Sequence, residues 1–173
     1  MKNSPSIVIK NDDAKFDTDL ENIYAKAFGP GRFTKAAAIL RAGNVCNYGI
    51  SRVVFARTDE GENLIGGCRL WPIIDAHNNA AMFLGPIAID AEFQGLGLGA
   101  KLMHEVLAAC DAGGQKLVLL VGDMPFFGQF GFEIVPTGQI TMPLPVAQSR
   151  LLWRKKDTTS ELSGAVRSLH ATT

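Results

Sequence analysis

Six consecutive residues, Gln94-Gly95-Leu96-Gly97-Leu98-Gly99, place a glycine at every second position just before a helical pattern. Glycine leaves the backbone uncovered, so several N–H groups can point at one anion, and the start of the following helix adds partial positive charge. A diphosphate is the ligand that suits this geometry. The alternative is that the glycines serve only a tight turn and close packing of the helix.

Two nucleotide-binding motifs compete for these glycines. A P-loop requires Ser or Thr directly after its lysine, and the sequence Ala100-Lys101-Leu102 has neither. The dinucleotide fingerprint GxGxx[G/A] is matched by Gly95, Gly97 and Ala100, with Asp123 as a ribose ligand. That fingerprint normally opens a fold with several further βα units, whereas here only one crossover follows it. A dinucleotide-binding protein therefore remains an alternative.

The hydrophobic periodicity predicts seven strands and four helices around these glycines. Strands are expected at 7–10, 51–58, 64–73, 81–89, 116–121, 132–135 and 150–154, and helices at 17–28, 33–42, 97–110 and 125–130. Short polar turns join the three strands before the glycines, as in an antiparallel meander. The next helix makes a crossover between strands that should be parallel. We therefore expect an α/β fold with a mixed central sheet, in the order β-α-α-β-β-β-α-β-α-β-β.

No internal repeat or linker divides residues 1–155, which we expect to form one domain. Residues 156–173 are mostly polar and are expected to form a C-terminal tail. Leu162, Val166 and Leu169 allow this tail at most one or two turns of docked helix.

With these elements in order, the sequence resembles the GCN5-related N-acetyltransferase (GNAT) superfamily. The family pattern [Q/R]xxGx[G/A] is matched by Gln94, Gly97 and Gly99. The segment 84–90, LGPIAID, is similar to the fourth strand of the family with its bulge, and a bulge is also expected because Pro86 cannot donate to a strand ladder. The resemblance extends from residue 7 to about residue 154.

Two later segments add to the resemblance. The sequence FGQFGF at 127–132 is similar to the YxxxGF segment of the family. The sequence VGDMPFF at 121–127 is similar to a branch of predicted acetyltransferases that usually carries two tyrosines where Phe126 and Phe127 stand.

The resemblance implies an acyltransferase that uses acetyl-CoA as co-substrate and binds no metal. The fourth and fifth strands would splay apart, and the pantetheine arm would lie between them. An amine of a small molecule or peptide would attack the thioester directly, without an acyl-enzyme. The implied cofactor-binding residues are Ile87, Ala88, Ile89, Gln94, Gly95, Leu96, Gly97, Leu98, Gly99 and Phe127.

The sequence departs from the family at the position of its usual proton donor. Phe127 stands where a tyrosine commonly protonates the leaving thiolate, so a non-catalytic acyl-CoA-binding or sensing module is a second hypothesis. Asp123 is the candidate general base, or else it caps the short helix that follows. Arg32 is a candidate contact for an anionic acceptor, or else an exposed arginine in a helix connection.

Three aromatic residues are candidates for lining an acceptor pocket, although core packing is the ordinary expectation for such side chains. They are Phe33, Trp71 and Phe83.

Composition and charge limit the classes of partner that the protein is expected to bind. The formal net charge is zero, which argues against a general nucleic-acid-binding surface. The three cysteines are separated and form no CxxC pair. We therefore expect no zinc site, and we expect the protein to reside in a reducing compartment. From the short apolar run near the N-terminus we expect neither a signal peptide nor a membrane span. We expect a cytoplasmic protein whose partners are its amine acceptor and, in a homodimer, a second copy.

Overall fold

One mixed β-sheet organises the chain, covered by helices on both faces. The computed structural model describes residues 3–170, and of Phe33 and Thr34 it describes the backbone alone. The strands are β1 (Ser6–Asn11), β2 (Arg52–Thr58), β3 (Gly61–Ile74), β4 (Ala80–Ile89), β5 (Leu117–Val121), β6 (Glu133–Ile134), β7 (Ile140–Thr141), β8 (Leu151–Lys155), β9 (Gly164–Ala165) and β10 (Arg167–Ser168). The helices are α1 (Asp17–Phe28), α2 (Ala36–Arg41), α3 (Leu98–Ala112) and α4 (Met124–Phe127).

The main sheet runs in the order β1-β2-β3-β4-β5-β8-β6, with β10 added on β3. All of its pairs are antiparallel except β4 with β5. This parallel pair follows from the chain path, because α3 carries the chain from the end of β4 back to the start of β5. The predicted α/β fold with a mixed sheet is therefore confirmed.

Helix α3 covers one face of the sheet because its apolar residues recur at four-residue steps. Leu98, Leu102, Val106 and Cys110 are each at most 4% exposed. Together with β2, β4 and β5 they form a core that also takes in α4. The opposite face is covered by α1 and α2. The β5 sequence LVLLV is apolar throughout because both of its faces are buried.

The C-terminal segment differs from the polar tail that was expected. It contains no helix up to residue 170, and instead β9 pairs with β7 and β10 pairs with β3. Leu162 and Val166 are 1% and 3% exposed, so they belong to the core. The buried carboxylate of Asp75 also holds this segment, because it accepts a hydrogen bond from the N–H of Ser163 over 2.8 Å. Strand pairing therefore replaces the helix turns that the spacing of the apolar residues had suggested.

Within residues 3–170, the longest helix is α3, and no helix has the length and apolar character needed to cross a membrane.

Candidate active site

The glycine-rich segment predicted to bind an anion forms the turn from β4 into α3. Gly95 and Gly97 have φ angles of +83° and +72°, in the left-handed region where other residues are strained. Gly97 is the N-cap of α3, and no side chain caps this helix end. In the part of the chain that the structure describes, the N–H groups of residues 95–100 donate no hydrogen bond. These donors, at the positive end of a helix, can therefore bind an anion.

Strands β4 and β5 are hydrogen-bonded over only a small part of their length. The pairing joins Met82 to Val118 and Phe83 to Leu119, although β4 continues to Ile89. The second half of β4 therefore has no strand on its β5 side. The splayed pair that the family resemblance implies is present, and the gap leads to the glycine-rich turn.

A bulge in β4 lies where the two strands separate, as Pro86 predicted. The register against β3 shifts at Gly85-Pro86, whose peptide bond is cis. Trp71 on β3 donates from Nε1 to the Gly85 carbonyl over 2.6 Å, and the Tyr24 hydroxyl on α1 donates to the Pro86 carbonyl over 3.2 Å. These two hydrogen bonds tie the bulge to its neighbours on both sides.

Beyond the bulge, the backbone of β4 presents donors to the gap. The N–H of Asp90 donates to the carbonyl of Ile65 on β3 over 2.6 Å. Because successive N–H groups of a strand point to opposite edges, those of Ile89 and Ile87 point away from β3. A ligand lying in the gap can pair with them as an added strand would.

The gap and the glycine-rich turn open into one cavity of about 490 Å³, which we call the first cavity. Eight of the ten predicted cofactor-binding residues line it: Ile87, Ala88, Ile89, Gln94, Gly95, Gly97, Leu98 and Gly99. Leu96 does not line it, and its side chain is 61% exposed. The side chain of Gln94 donates to the Ile89 carbonyl over 3.3 Å and so joins the turn to the end of β4.

A second cavity of about 590 Å³ adjoins the first and shares Phe28 and Ile87 with it. Its walls come from β4, β5, α2 and the loops before α2 and β8. Four basic residues line it, Arg32, Lys35, Arg41 and Arg150, whereas Asp123 is the one carboxylate among the lining residues that the structure describes. Two ligands, one in each cavity, would meet beside Ile87.

The two phenylalanines at 126 and 127 lie against different cavities. Phe127 was expected to contact the cofactor, but its ring lines the second cavity, and Phe126 lines the first. The Phe127 ring is 9% exposed and packs so closely on Gly122 that a Cβ there would overlap it. Neither ring carries a hydroxyl, so neither can give a proton to a leaving group.

Asp123, the candidate base, lies at the rim of the second cavity. Its side chain is 75% exposed, and its Oδ1 lies 3.2 Å from Nε of Arg150. It occupies the N-cap position of α4, yet its carboxylate makes no capping hydrogen bond. Its carbonyl accepts from the N–H groups of Phe126 and Phe127 instead. The structure thus places Asp123 at the rim of the second cavity, paired with Arg150.

The remaining candidate residues lie at different places in the structure. Arg32 lines the second cavity, donating to Glu21 over 3.1 Å and to the Gly29 carbonyl over 2.7 Å. Phe83 is 1% exposed but reaches the floor of that cavity. Trp71 supports the bulge, and the Phe33 side chain lies outside the described residues.

The cysteines are placed for packing and not for nucleophilic chemistry. All three are buried and free. Burial raises the pKa of Cys46 to about 11 and that of Cys110 to about 12, so neither forms a thiolate near neutral pH. Among residues 3–170, no group of His, Cys, Asp and Glu is arranged to hold a metal ion.

Comparison with known proteins supports one family. A family model described as the acetyltransferase (GNAT) domain matches residues 50–134, which run from β2 to β6. The uncharacterized N-acetyltransferase YhbS of Escherichia coli is 29% identical over 96 residues. That match covers 54% of this chain and 56% of YhbS, little more than half of each.

Solved structures share the fold over most of the chain. The crystal structure of YhbS from Escherichia coli in complex with CoA has a TM-score of 0.72 at 20% identity, covering 95% of this chain and 89% of that one. A GNAT family acetyltransferase from Brucella melitensis in complex with acetyl-CoA has a TM-score of 0.65 at 19% identity, covering 96% and 97%. Arabidopsis thaliana Naa50, in complex with the bisubstrate analogue CoA-Ac-MVNAL, has a TM-score of 0.56 at 16% identity, covering 87% and 99%.

The matched family model covers the bulged strand, the glycine-rich turn and the crossover helix, and the shared fold extends over the rest of the sheet. These findings support membership of the chain in the GCN5-related N-acetyltransferase (GNAT) superfamily.

Proposed function

We propose that this protein transfers an acetyl group from acetyl-CoA to an amine by direct attack. The observation that carries the proposal is the first cavity, in which unbonded N–H groups at residues 95–100 lie next to a gap between β4 and β5. The diphosphate of CoA would bind at the turn, and its pantetheine arm would lie along Ile87 to Ile89. The CoA and acetyl-CoA complexes of the two bacterial relatives support this choice of ligand.

The thioester would lie beside Ile87, where the two cavities meet. There the N–H of Ile87 would donate to the thioester carbonyl and stabilise the oxyanion that forms during attack. Holding both substrates in one orientation would supply much of the rate, since such positioning can be worth roughly 7–11 kcal/mol. No cysteine takes part, because the thiols are buried away from the cavities.

The site offers few side chains that could transfer a proton. Asp123 is the proposed base for the acceptor amine. It is exposed at the rim of the second cavity and paired with Arg150, so it would take the proton at the cavity entrance. Phe127 gives no proton to the departing thiolate. A thiol is already a reasonable leaving group, so the reaction does not require that acid, whose help is typically worth about 10²–10⁴-fold.

The proposal is tested by isothermal titration of the protein with acetyl-CoA and with CoA. We expect saturable binding of both, at a stoichiometry of about one per chain. No binding at millimolar ligand would refute the proposal. Preferential binding of NAD over CoA would select the dinucleotide-binding alternative instead.

A non-catalytic acyl-CoA-binding module is the second candidate, and Phe127 is the observation that favours it. A screen of amines for CoA thiol release separates the two functions. Release above the rate without protein supports the enzyme. Binding of acetyl-CoA without release, followed by a gain of release in Phe127→Tyr, would identify a degenerate enzyme.

A further inference from the structure

The second cavity is basic although the chain as a whole carries no net charge. Its four cations come from two separate segments, three of them between residues 32 and 41 and the fourth, Arg150, before β8. Two of the four already have carboxylate partners: Arg32 pairs with Glu21, and Arg150 pairs with Asp123. The local excess of positive charge therefore rests on Lys35 and Arg41.

Arg41, at the end of α2, is the cation that the surrounding protein satisfies least. Its guanidinium forms no hydrogen bond or ion pair with any residue that the structure describes. It is half-buried, and burial lowers its pKa from the usual value despite the opposing influence of Tyr24 and Glu21. A desolvated charge without a partner costs stability, and such a cost is commonly found where a ligand supplies the missing partner.

The remaining lining of the second cavity is mostly apolar. Phe83, Leu120 and Val121 belong to the sheet, and Leu144 and Val146 come from the loop before β8. A ligand that fits this lining has an apolar body and an anionic group near α2. An amine without an anionic group would enter as a cation and be repelled by the excess positive charge of Lys35 and Arg41.

From the unpartnered Arg41 and the basic rim we infer that the acceptor is an amine that carries its own anionic group, a carboxylate or a phosphate. The guanidinium of Arg41 would bind that group, with Lys35 beside it, while the amine points to Ile87 at the junction of the cavities. This inference rests on the proposed acetyl transfer. It adds the chemical class of the acceptor and makes Arg41 a residue that determines specificity.

Matched acceptor pairs test the inference. Phenylalanine is compared with phenylalaninamide, and ethanolamine phosphate with ethanolamine, by thiol release from acetyl-CoA. We expect kcat/KM for at least one anionic member to exceed that of its neutral partner about tenfold or more. The pair that shows the difference identifies carboxylate or phosphate. Equal rates, or faster reaction of the neutral members, would overturn the inference.

Substitutions at Arg41 assign the preference to that side chain. Arg41→Gln should lower kcat/KM for the anionic acceptor by about 10- to 100-fold, the range of a hydrogen bond to a charged group, and change the neutral acceptor less than about threefold. Arg41→Lys should recover part of the loss, because it keeps the charge without the planar fork. Arg57→Gln on β2, which removes an arginine paired with Glu62 outside both cavities, should leave the preference unchanged. An equal loss of kcat/KM for the anionic and the neutral acceptor would show that Arg41 does not bind the anionic group.

Two further measurements do not depend on turnover. The melting temperature of Arg41→Gln should be no lower than that of the wild type, because the substitution removes an unpaired charge; a lower value would mark Arg41 as structural and contradict the inference.

With CoA at saturation, inorganic phosphate should stabilise the wild type more than Arg41→Gln at matched ionic strength. Equal stabilisation would overturn the anion site. If acetyl-CoA itself does not bind, the proposed transfer is refuted. The stabilisation by phosphate of the wild type and of Arg41→Gln, compared without CoA, then still shows whether Arg41 binds an anion.

Discussion

A carboxylate placed at Gly97 should weaken the proposed diphosphate site without preventing the chain from folding. A Cβ at Gly97 meets nothing within 4 Å, so the new side chain fits and extends into open space beside the turn. At about 5 Å and an effective dielectric constant of about 20–40, a single phosphate charge and a carboxylate repel by about 2–3 kcal/mol. Since every 1.4 kcal/mol is tenfold in affinity, Gly97→Asp should raise the Kd for CoA by about 30- to 150-fold.

Two control variants separate charge from backbone strain in this experiment. Gly97→Asn has nearly the same shape without the charge, and Asn tolerates positive φ, so it should weaken binding much less than Gly97→Asp. Gly138→Asp places the same residue at φ +78° with equally open surroundings, in the turn before β7. It should cost similar stability and leave CoA affinity unchanged.

The assay is calorimetric titration of CoA into each variant at low and at high salt. The difference between Gly97→Asp and Gly97→Asn should shrink as salt rises, because ions screen the repulsion. Equal affinities of these two variants, or full affinity in Gly97→Asp, would refute the claim that the diphosphate lies at this turn.

Three further outcomes follow from packing and charge away from the turn. Gly122→Ala should lower stability by about 1–3 kcal/mol in urea unfolding, because the added Cβ overlaps the Phe127 ring. Trp71→Phe should cost about 1–3 kcal/mol by the same measurement, since it leaves the carbonyl at the bulge without its donor. Hydrogen bonding to Arg154 lowers the pKa of Asp111, so this pair stabilises the fold above about pH 4 and loses that effect as the pH falls through the lowered pKa. Asp111→Asn should therefore be less stable than the wild type at pH 7, with the difference shrinking as the pH falls below about 4 in a pH series of thermal unfolding. A difference independent of pH would contradict this assignment.

The parts of the site that depend on local sequence could be predicted. The alternating glycines at 95, 97 and 99 dictate an exposed backbone whatever surrounds them, and the four-residue spacing of α3 fixes which side of that helix is buried. Pro86 predicted the bulge because proline has no N–H to donate to a neighbouring strand. The crossover from β4 to β5 and their parallel pairing could be predicted from the order of the elements alone.

The parts that depend on packing between distant segments could not be predicted. Arg41 and Arg150 are far apart in sequence, and only the fold brings them to one cavity. The side on which the Phe127 ring lies depends on the space that Gly122 leaves for it. The C-terminal strands were missed because Leu162 and Val166 are four residues apart, a helical spacing, while their burial depends on pairing with β7 and β3.

Amide NMR of the ¹⁵N-labelled protein during titration with CoA tests the central claim most directly. We expect the N–H resonances of residues 95–100 to shift when the diphosphate binds, and those of Ile87 and Ile89 to shift and gain protection from solvent exchange. Binding of CoA that left these amides unchanged while others shifted would contradict it.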